Sequence, residues 1–545
     1  MRPTASDSSS APTPDTWRKF ARFGTWMALI AAVTAGQLAW IFALRGERIL
    51  DEVGLLRAGW MLGTSTCLGI WVLLVTTPRD AIKLSPRLSK RMILVILAAI
   101  VFAAVLCIAP VLARGPLRYR VDGAAWLLGT SPYATPPARL VNGSGADPLT
   151  SESDPFLTQV QLLQLAAPGR DVVSVYPPAA QLAFVASRAI DFVLPLGEST
   201  RSSDLTAGQV ERWREAMLQL PWWRRTTVWR FLLATALLMI TAELITWLRW
   251  KRQSVWWSTT FAWQPLVLIG SAAAGYLDLL AVLLVVGGIR RIEMGSIRRP
   301  SLMMGVACAV HPLAWLAALA TIGWLWREKG RTEAQQGLLW SALAGVGLSL
   351  PGLLAWEQWS SVVPSAVEVL GSIRASTHNG SVFALLEQIF EPGDWLAWTG
   401  WLIAALSALL AVVLLIRRGN SIAMTLYVST MAALLLGPTA RISLLVWPLA
   451  MVPMLLGRAG ISAIVWAGSA ALTIMNADLD RALWPQYLPV YLALVAELVA
   501  HRIRSSRQAR QAEDSNPPRT LATVNAAGTV AAEASPPGQG GADVE

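Results

Sequence analysis

Residues 92–113 read MILVILAAIVFAAVLCIAPVLA, without a charged side chain, and after Arg114-Gly115-Pro116-Leu117 the chain continues over 118–137 as RYRVDGAAWLLGTSPYATPP. The first run reaches the roughly 20 apolar residues that a helix needs to cross a bilayer. The second places Asp122, Gly123 and several aromatic rings where that run leaves the apolar phase. A membrane helix delivering an acid to a polar surface sets both the fold class and the place to look for chemistry.

Outward from this stretch, the same pattern recurs. Of 545 residues, 54% are hydrophobic and only 14% charged, with a mean hydropathy of +0.49; such a chain is not one soluble globule. The net charge of +11 is spread in short basic clusters between apolar runs, as in membrane proteins whose cytoplasmic loops are basic, and not gathered on one nucleic-acid-binding face. No nucleic-acid partner is expected. Cys67, Cys107 and Cys308 lie inside apolar runs without ligand spacing, which supports neither a disulfide framework nor a zinc site.

These features predict an all-α, polytopic transmembrane helix bundle of about 11–14 membrane segments, capped by an extracytoplasmic loop. Residues 1–20, rich in Ser, Pro and Thr, read as a disordered cytoplasmic tail without the order of a cleaved signal. Three N-terminal helices fall within 21–113. Arg18, Lys19 and Arg22 hold the first one's start inside, and 79–91 carries five basic residues against one Asp, so 92–113 points outward. An outer loop covers 114–177, a transmembrane core 178–502, and a second disordered cytoplasmic tail 503–545. The protein is expected in the plasma membrane with both termini cytoplasmic.

Within the core, 178–197 holds Arg188 and Asp191 and reads as a weak span or an interfacial helix. The later links with Arg249, Lys251 and Arg252, with Arg290, Arg291, Arg298 and Arg299, and with Arg327, Lys329 and Arg331 all read as cytoplasmic. That agrees best with 178–197 lying at the surface and with 257–289 and 302–326 entering as re-entrant hairpins, the second broken at His311-Pro312. Non-helical backbone at membrane depth needs a protein-lined or wet cavity.

Asp122 has two readings from its neighbours. As an N-cap it would start a short helix over 124–129; as a general base it would sit where Gly123 lets a substrate approach the backbone. Around it, Tyr119, Trp126, Tyr133 and Tyr176 suit either an interfacial belt or a binding surface. Further on, the acidic cluster Asp147, Glu152 and Asp154 raises a divalent cation as a cofactor, although its spacing fits no defined calcium loop. Asp278, an acid inside an apolar segment, is either a helix cap or a functional group. His311 is either a cap at a kink or a polar contact to phosphate.

The pattern Y-x-x-D-G-x-x-W-x-x-G-x-S-P-Y over 119–133, with V-Y-P-P-A-A-Q-L over 175–182, resembles the first outer loop of multispanning GT-C glycosyltransferases. More narrowly it resembles the bacterial branch that includes actinobacterial α-mannosyltransferases of lipomannan assembly. The string F-A-W-Q-P-L-V-L-I-G-x-x-x-x-G-Y-L-D-L-L over 261–280 is similar to a second stretch of that branch, with Trp263, Pro265, Gly275 and Asp278 matching. Gly270 replaces its usual Glu, Tyr276 its usual His, and His311 its usual Lys. The run from His378 and Asn379 through Ser381 is similar to a third, and 443–453, with Trp447-Pro448, to a fourth that lacks its usual aromatic start.

The resemblance implies an integral-membrane glycosyltransferase that takes a sugar, mannose in the named branch, from a polyprenyl-phosphate donor to a glycolipid or glycan acceptor of the cell envelope. It gives Asp122 the part of base in an inverting transfer and makes 114–177 the catalytic loop. Tyr119, Trp126, Tyr133, Tyr176, Asp278, His311, His378 and Asn379 become substrate contacts. Arg118, Arg120, Arg374 and Arg441 are candidates to steady the leaving phosphate, each with a snorkelling interfacial cation as its plainer reading. Two other classes stay open: a lipid or small-molecule transporter, which would also carry broken helices and an intramembrane acid, and a noncatalytic relative of the transferases.

Overall fold

A computed structural model describes residues 67–68, 70–71, 86–108, 115–137, 173–174, 176–193, 227–273, 275–354, 395–437, 442–455, 462–465, 490–497, 499–500, 502–503 and 506. The expected first span, most of the second, the acidic cluster, residues 357–394, the expected N-terminal tail and all of the C-terminal one except 503 and 506 lie outside them. The described residues are mostly helical and contain no strand, in agreement with the all-α class. By chain contacts the protein divides into Met1–Leu494 and Val495–Glu545; everything below concerns the first unit.

Its helices are α1 (Pro86–Ile108), α2 (Gly115–Leu127), α3 (Pro178–Val193), α4 (Thr227–Trp250), α5 (Trp256–Ala262), a π-helix (Leu266–Ala273), α6 (Asp278–Glu293), α7 (Arg298–Val310), α8 (Ala314–Glu328), α9 (Arg331–Leu354), α10 (Trp395–Arg417), α11 (Ile422–Leu436) and α12 (Val446–Met451), the last flanked by 3-10 turns. Two of them are long and apolar enough to cross a membrane. Val228–Trp250 has a mean hydropathy of 2.0 and Thr399–Arg417 one of 2.5. The second buries little of its surface and exposes Leu402, Leu406, Leu410 and Leu414. A helix apolar on its outward side is one that faces lipid or another apolar surface.

Side-chain contacts fix the relative directions of the helices from α4 to α10. Trp229 near the start of α4 donates from Nε1 to Gly275 O at 2.7 Å, Arg291 reaches Glu243 at 3.0 Å, and Trp247 and Lys251 meet Glu293 at 3.0 Å each. Residue numbers rise together on both sides, so α4 and α6 are parallel. The stretch between them, α5 and the π-helix, therefore runs back the other way. Pro265 cannot donate from its backbone, and Gln264 caps the break by accepting from Val267 N at 2.8 Å.

The next pair repeats the device. Ser341 donates to Ser301 O at 2.9 Å and Arg298 lies over the Trp340 ring at 4.3 Å, so α7 and α9 are parallel with α8 antiparallel between them. Gly305 permits this, since a Cβ there would collide with the Ser341 carbonyl on α9. Arg327 donates to Ile416 O at 2.6 Å, which brings the α8 and α10 C-termini together. The basic links 249–252, 290–299 and 327–331 thus gather toward one end of the helices. The tips of the two hairpins, Gly275–Asp278 and His311-Pro312, point to the other.

Candidate active site at the hairpin tips

α2 carries the stretch that the sequence singled out. Arg118 and Asp122 stand four residues apart on it, one above the other, and Arg118 Nε donates to Asp122 Oδ1 at 2.8 Å. The helix runs unbroken from Gly115 to Leu127 and ends toward Gly129, whose φ is +72°. Asp122 is therefore inside a helix and is not an N-cap, and 124–129 is not a helix of its own. Gly123 has a different use from the one expected. A Cβ there would lie 2.5 Å from Phe184 O and 3.2 Å from Arg188 Cβ, so the missing side chain admits the backbone of α3, not a substrate.

The other oxygen of Asp122 is also engaged. Oδ2 accepts from Ser174 Oγ at 2.6 Å and from Gln181 Nε2 at 3.2 Å, while Gln181 Nε2 also donates to Ser174 Oγ at 2.6 Å. The residue is 1% exposed. Three donors on a buried carboxylate satisfy its charge and tie α2, α3 and the segment at 173–176 to one point. As it stands, this acid has no room for an incoming hydroxyl.

Aromatic rings pack on the same point. Tyr119 stacks on Phe184 at 4.5 Å and meets Tyr176 and Trp229 edge-on at 5.1 and 5.5 Å. Trp126 meets Tyr133 edge-on at 6.4 Å. Tyr133 OH donates to Tyr176 O at 2.7 Å, and Ser174 N to Pro132 O at 2.8 Å. Residues of the two stretches of the resemblance, 119–133 and 175–182, thus pack into one cluster together with Arg118 and Ser174, and Arg120 is buried in α2 as well.

Burial, and after it the charge of Asp122, pushes the Tyr133 phenol above its ordinary value. A group whose pKa is raised in the folded state contributes stability that is full below its unfolded value of about 10 and is lost as pH rises through the folded one. Thermal unfolding followed from pH 8 to 11 is expected to show that alkaline loss in the wild type. Tyr133→Phe should flatten it.

The second cluster forms where the hairpin tips meet α12. Trp447 Nε1 donates to Asp278 Oδ1 at 3.1 Å, and His311 Nε2 lies 3.2 Å from the same oxygen. Leu313 N donates to His311 Nδ1 at 3.2 Å, which leaves Nε2 to carry the proton toward Asp278. The His311 and Trp447 rings are 5.3 Å apart. Asp278 makes no side-chain cap of α6, so the cap reading falls away; His311 does end α7, whose C-cap it is. An acid in an apolar segment has found the partners its burial demands.

Trp229 joins the clusters, its ring on Tyr119 and Phe184 and its Nε1 on Gly275, three residues before Asp278. Sequence reasoning did not single out Trp229, Phe184, Ser174 or Gln181, and it noted Trp447 only as part of a loose correspondence. Gln181 alone carried a signal, as the amide in V-Y-P-P-A-A-Q-L. Tyr276 is half-buried at the tip. Arg374, His378, Asn379 and Arg441 lie outside the described residues. Among the described residues no three His, Cys, Asp or Glu side chains group to hold a metal ion. Comparison with protein-family models, with curated proteins and with solved structures finds no match for this chain.

Proposed function

We propose that the protein is a polytopic membrane glycosyltransferase that moves a sugar, mannose by the resemblance, from a polyprenyl-phosphate donor to a cell-envelope glycolipid or glycan on the outer face. The observation that carries the reading is that both stretches of the resemblance, with Asp122, Arg118, Tyr119, Tyr133 and Tyr176, pack into one cluster that Trp229 links to the Asp278–His311 tip, at the end of the helices away from the basic links. A lipid-borne donor needs its tail in an apolar phase and its phosphate at a polar edge. Chemistry at one end of an apolar bundle meets both needs. The basic links at the opposite end would then be cytoplasmic.

The base role that the resemblance gives to Asp122 requires a further state, in which an acceptor hydroxyl takes the place that Ser174 Oγ now holds at 2.6 Å from Oδ2. Burial of that acid against Arg118 is the specific observation that favours a second reading, a noncatalytic relative in which the pair is purely structural. A deletion strain separates the two. Transferase function predicts, by mass spectrometry of envelope glycolipids, an acceptor that accumulates short of its sugar and is restored by the wild-type gene and not by Asp122→Asn. Restoration by Asp122→Asn at equal protein level would remove the base role from Asp122.

A further inference from the structure

We infer that Asp278, in place of the acid of the first outer stretch, is built to accept the proton of a bound hydroxyl; this rests on the glycosyl-transfer reading above. The two buried acids of the site differ in how they are filled. Both oxygens of Asp122 accept hydrogen bonds, three in all. At Asp278 both neighbours, Trp447 Nε1 and His311 Nε2, converge on Oδ1. Among the described residues Oδ2 has no hydrogen-bond partner, and it is not one of the sealed, unpartnered polar atoms. A carboxylate held at one oxygen by two donors and open at the other is oriented with its free lone pairs available, which is the arrangement proton abstraction needs.

The surroundings supply the rest of that geometry. His311 is partly exposed, with 16% of its side chain accessible against 6% for Asp278, so the dyad stands at the edge of the packed tips and not in their middle. The positive φ of Gly275, 88°, turns the chain immediately before the acid, and Trp229 fixes that turn by its bond to Gly275 O. The Leu313 N–H occupies His311 Nδ1, so the imidazole donates to Asp278 and has no lone pair to spare as a base itself. His311 and Trp447 are accordingly positioning residues, and Asp278 is the group that meets the substrate.

The step balances without a co-reactant. As the acceptor oxygen forms its bond to the anomeric carbon, the bond from that carbon to the lipid phosphate oxygen breaks and its electron pair leaves on the phosphate. The hydroxyl proton passes to Asp278 Oδ2.

The test uses the full chain in liposomes with a polyprenyl-phosphate sugar and a glycolipid acceptor, together with thermal unfolding of each variant. Asp278→Ala is expected to lower kcat by about 100-fold or more with donor KM little changed, and added formate is expected to restore part of the rate by standing in for the lost carboxylate. Asp278→Asn, which keeps the side chain's size, gives the same loss if the alanine variant fails to fold. Trp447→Phe is expected to shift the pH profile of kcat more than KM. A rate retained within about tenfold in Asp278→Asn, a loss that formate does not rescue, or formate rescue of Asp122→Ala in place of Asp278→Ala would each overturn the inference. Absence of transfer by the wild type itself would instead overturn the glycosyltransferase reading, and this inference with it.

Discussion

Arg118→Ala is expected to cost about 3–5 kcal/mol of stability, the usual result of stripping one partner from a buried ion pair. Arg118 is 6% exposed and Asp122 1%, so water does not replace the lost guanidinium. What remains is a carboxylate whose Oδ1 has lost its donor at 2.8 Å and whose Oδ2 is held only by the neutral groups of Ser174 and Gln181. Asp122→Asn strips the pair from the other side and should cost a comparable amount, because it leaves the Arg118 guanidinium buried against a neutral amide that can place a donor toward it. Replacing both residues by apolar ones of similar size should recover much of the loss. Thermal or denaturant unfolding in detergent, run as a double-mutant cycle, reads the coupling directly. A coupling near zero would mean that the two side chains do not act as a buried pair along α2.

Trp229→Ala is the second large effect, at about 3–5 kcal/mol for deleting a buried indole. The ring is 1% exposed and packs on both Tyr119 and Phe184, so the hole would open between α2, α3 and α4 together. Trp229→Phe separates the two parts of its work. It keeps an aromatic ring in the cluster but leaves Gly275 O without the bond at 2.7 Å, a cost of about 1–3 kcal/mol for a buried acceptor left unpaired. Because Gly275 turns the chain into Asp278, the phenylalanine variant is expected to lose more transfer rate than stability. Equal loss of rate in Trp229→Phe and in an equally destabilised variant far from the tips would contradict that coupling.

The helical class is legible in the sequence, and the parts of the site that are not share a cause. The helical class followed from apolar runs too long and too free of charge for strands, and α4, with only Arg230, Glu243 and Arg249 in its 24 residues, is such a run. The partners of Asp278 were foreseeable in kind, since an acid there must be paired, but not in identity: Trp447 is 169 residues away. Asp122 misled for a local reason. Asp-Gly is a turn signal when the glycine is needed for its backbone freedom, whereas Gly123 is needed for its size, to let α3 approach. Spacing along the chain cannot distinguish those uses.

The resemblance drew the eye to residues that do assemble, yet it fixed roles before geometry. Of the tyrosines expected as substrate contacts, Tyr119 and Tyr176 meet ring against ring and Tyr133 spends its hydroxyl on the Tyr176 carbonyl. Their first physical task is to hold the cluster shut. A substrate that engages them must therefore open packing worth several edge-to-face contacts, each about 0.5–1.5 kcal/mol. Asp278 requires no such opening, which is why it and not Asp122 is the acid to test first.

The most direct measurement is transfer by the purified chain in liposomes, with a polyprenyl-phosphate sugar offered against the matching nucleotide sugar and the product's anomeric configuration read by NMR. Transfer from the lipid-phosphate donor alone, with inversion, is the predicted result. A folded protein, judged by its unfolding transition, that moves sugar from no lipid-phosphate donor to any envelope glycolipid would contradict it.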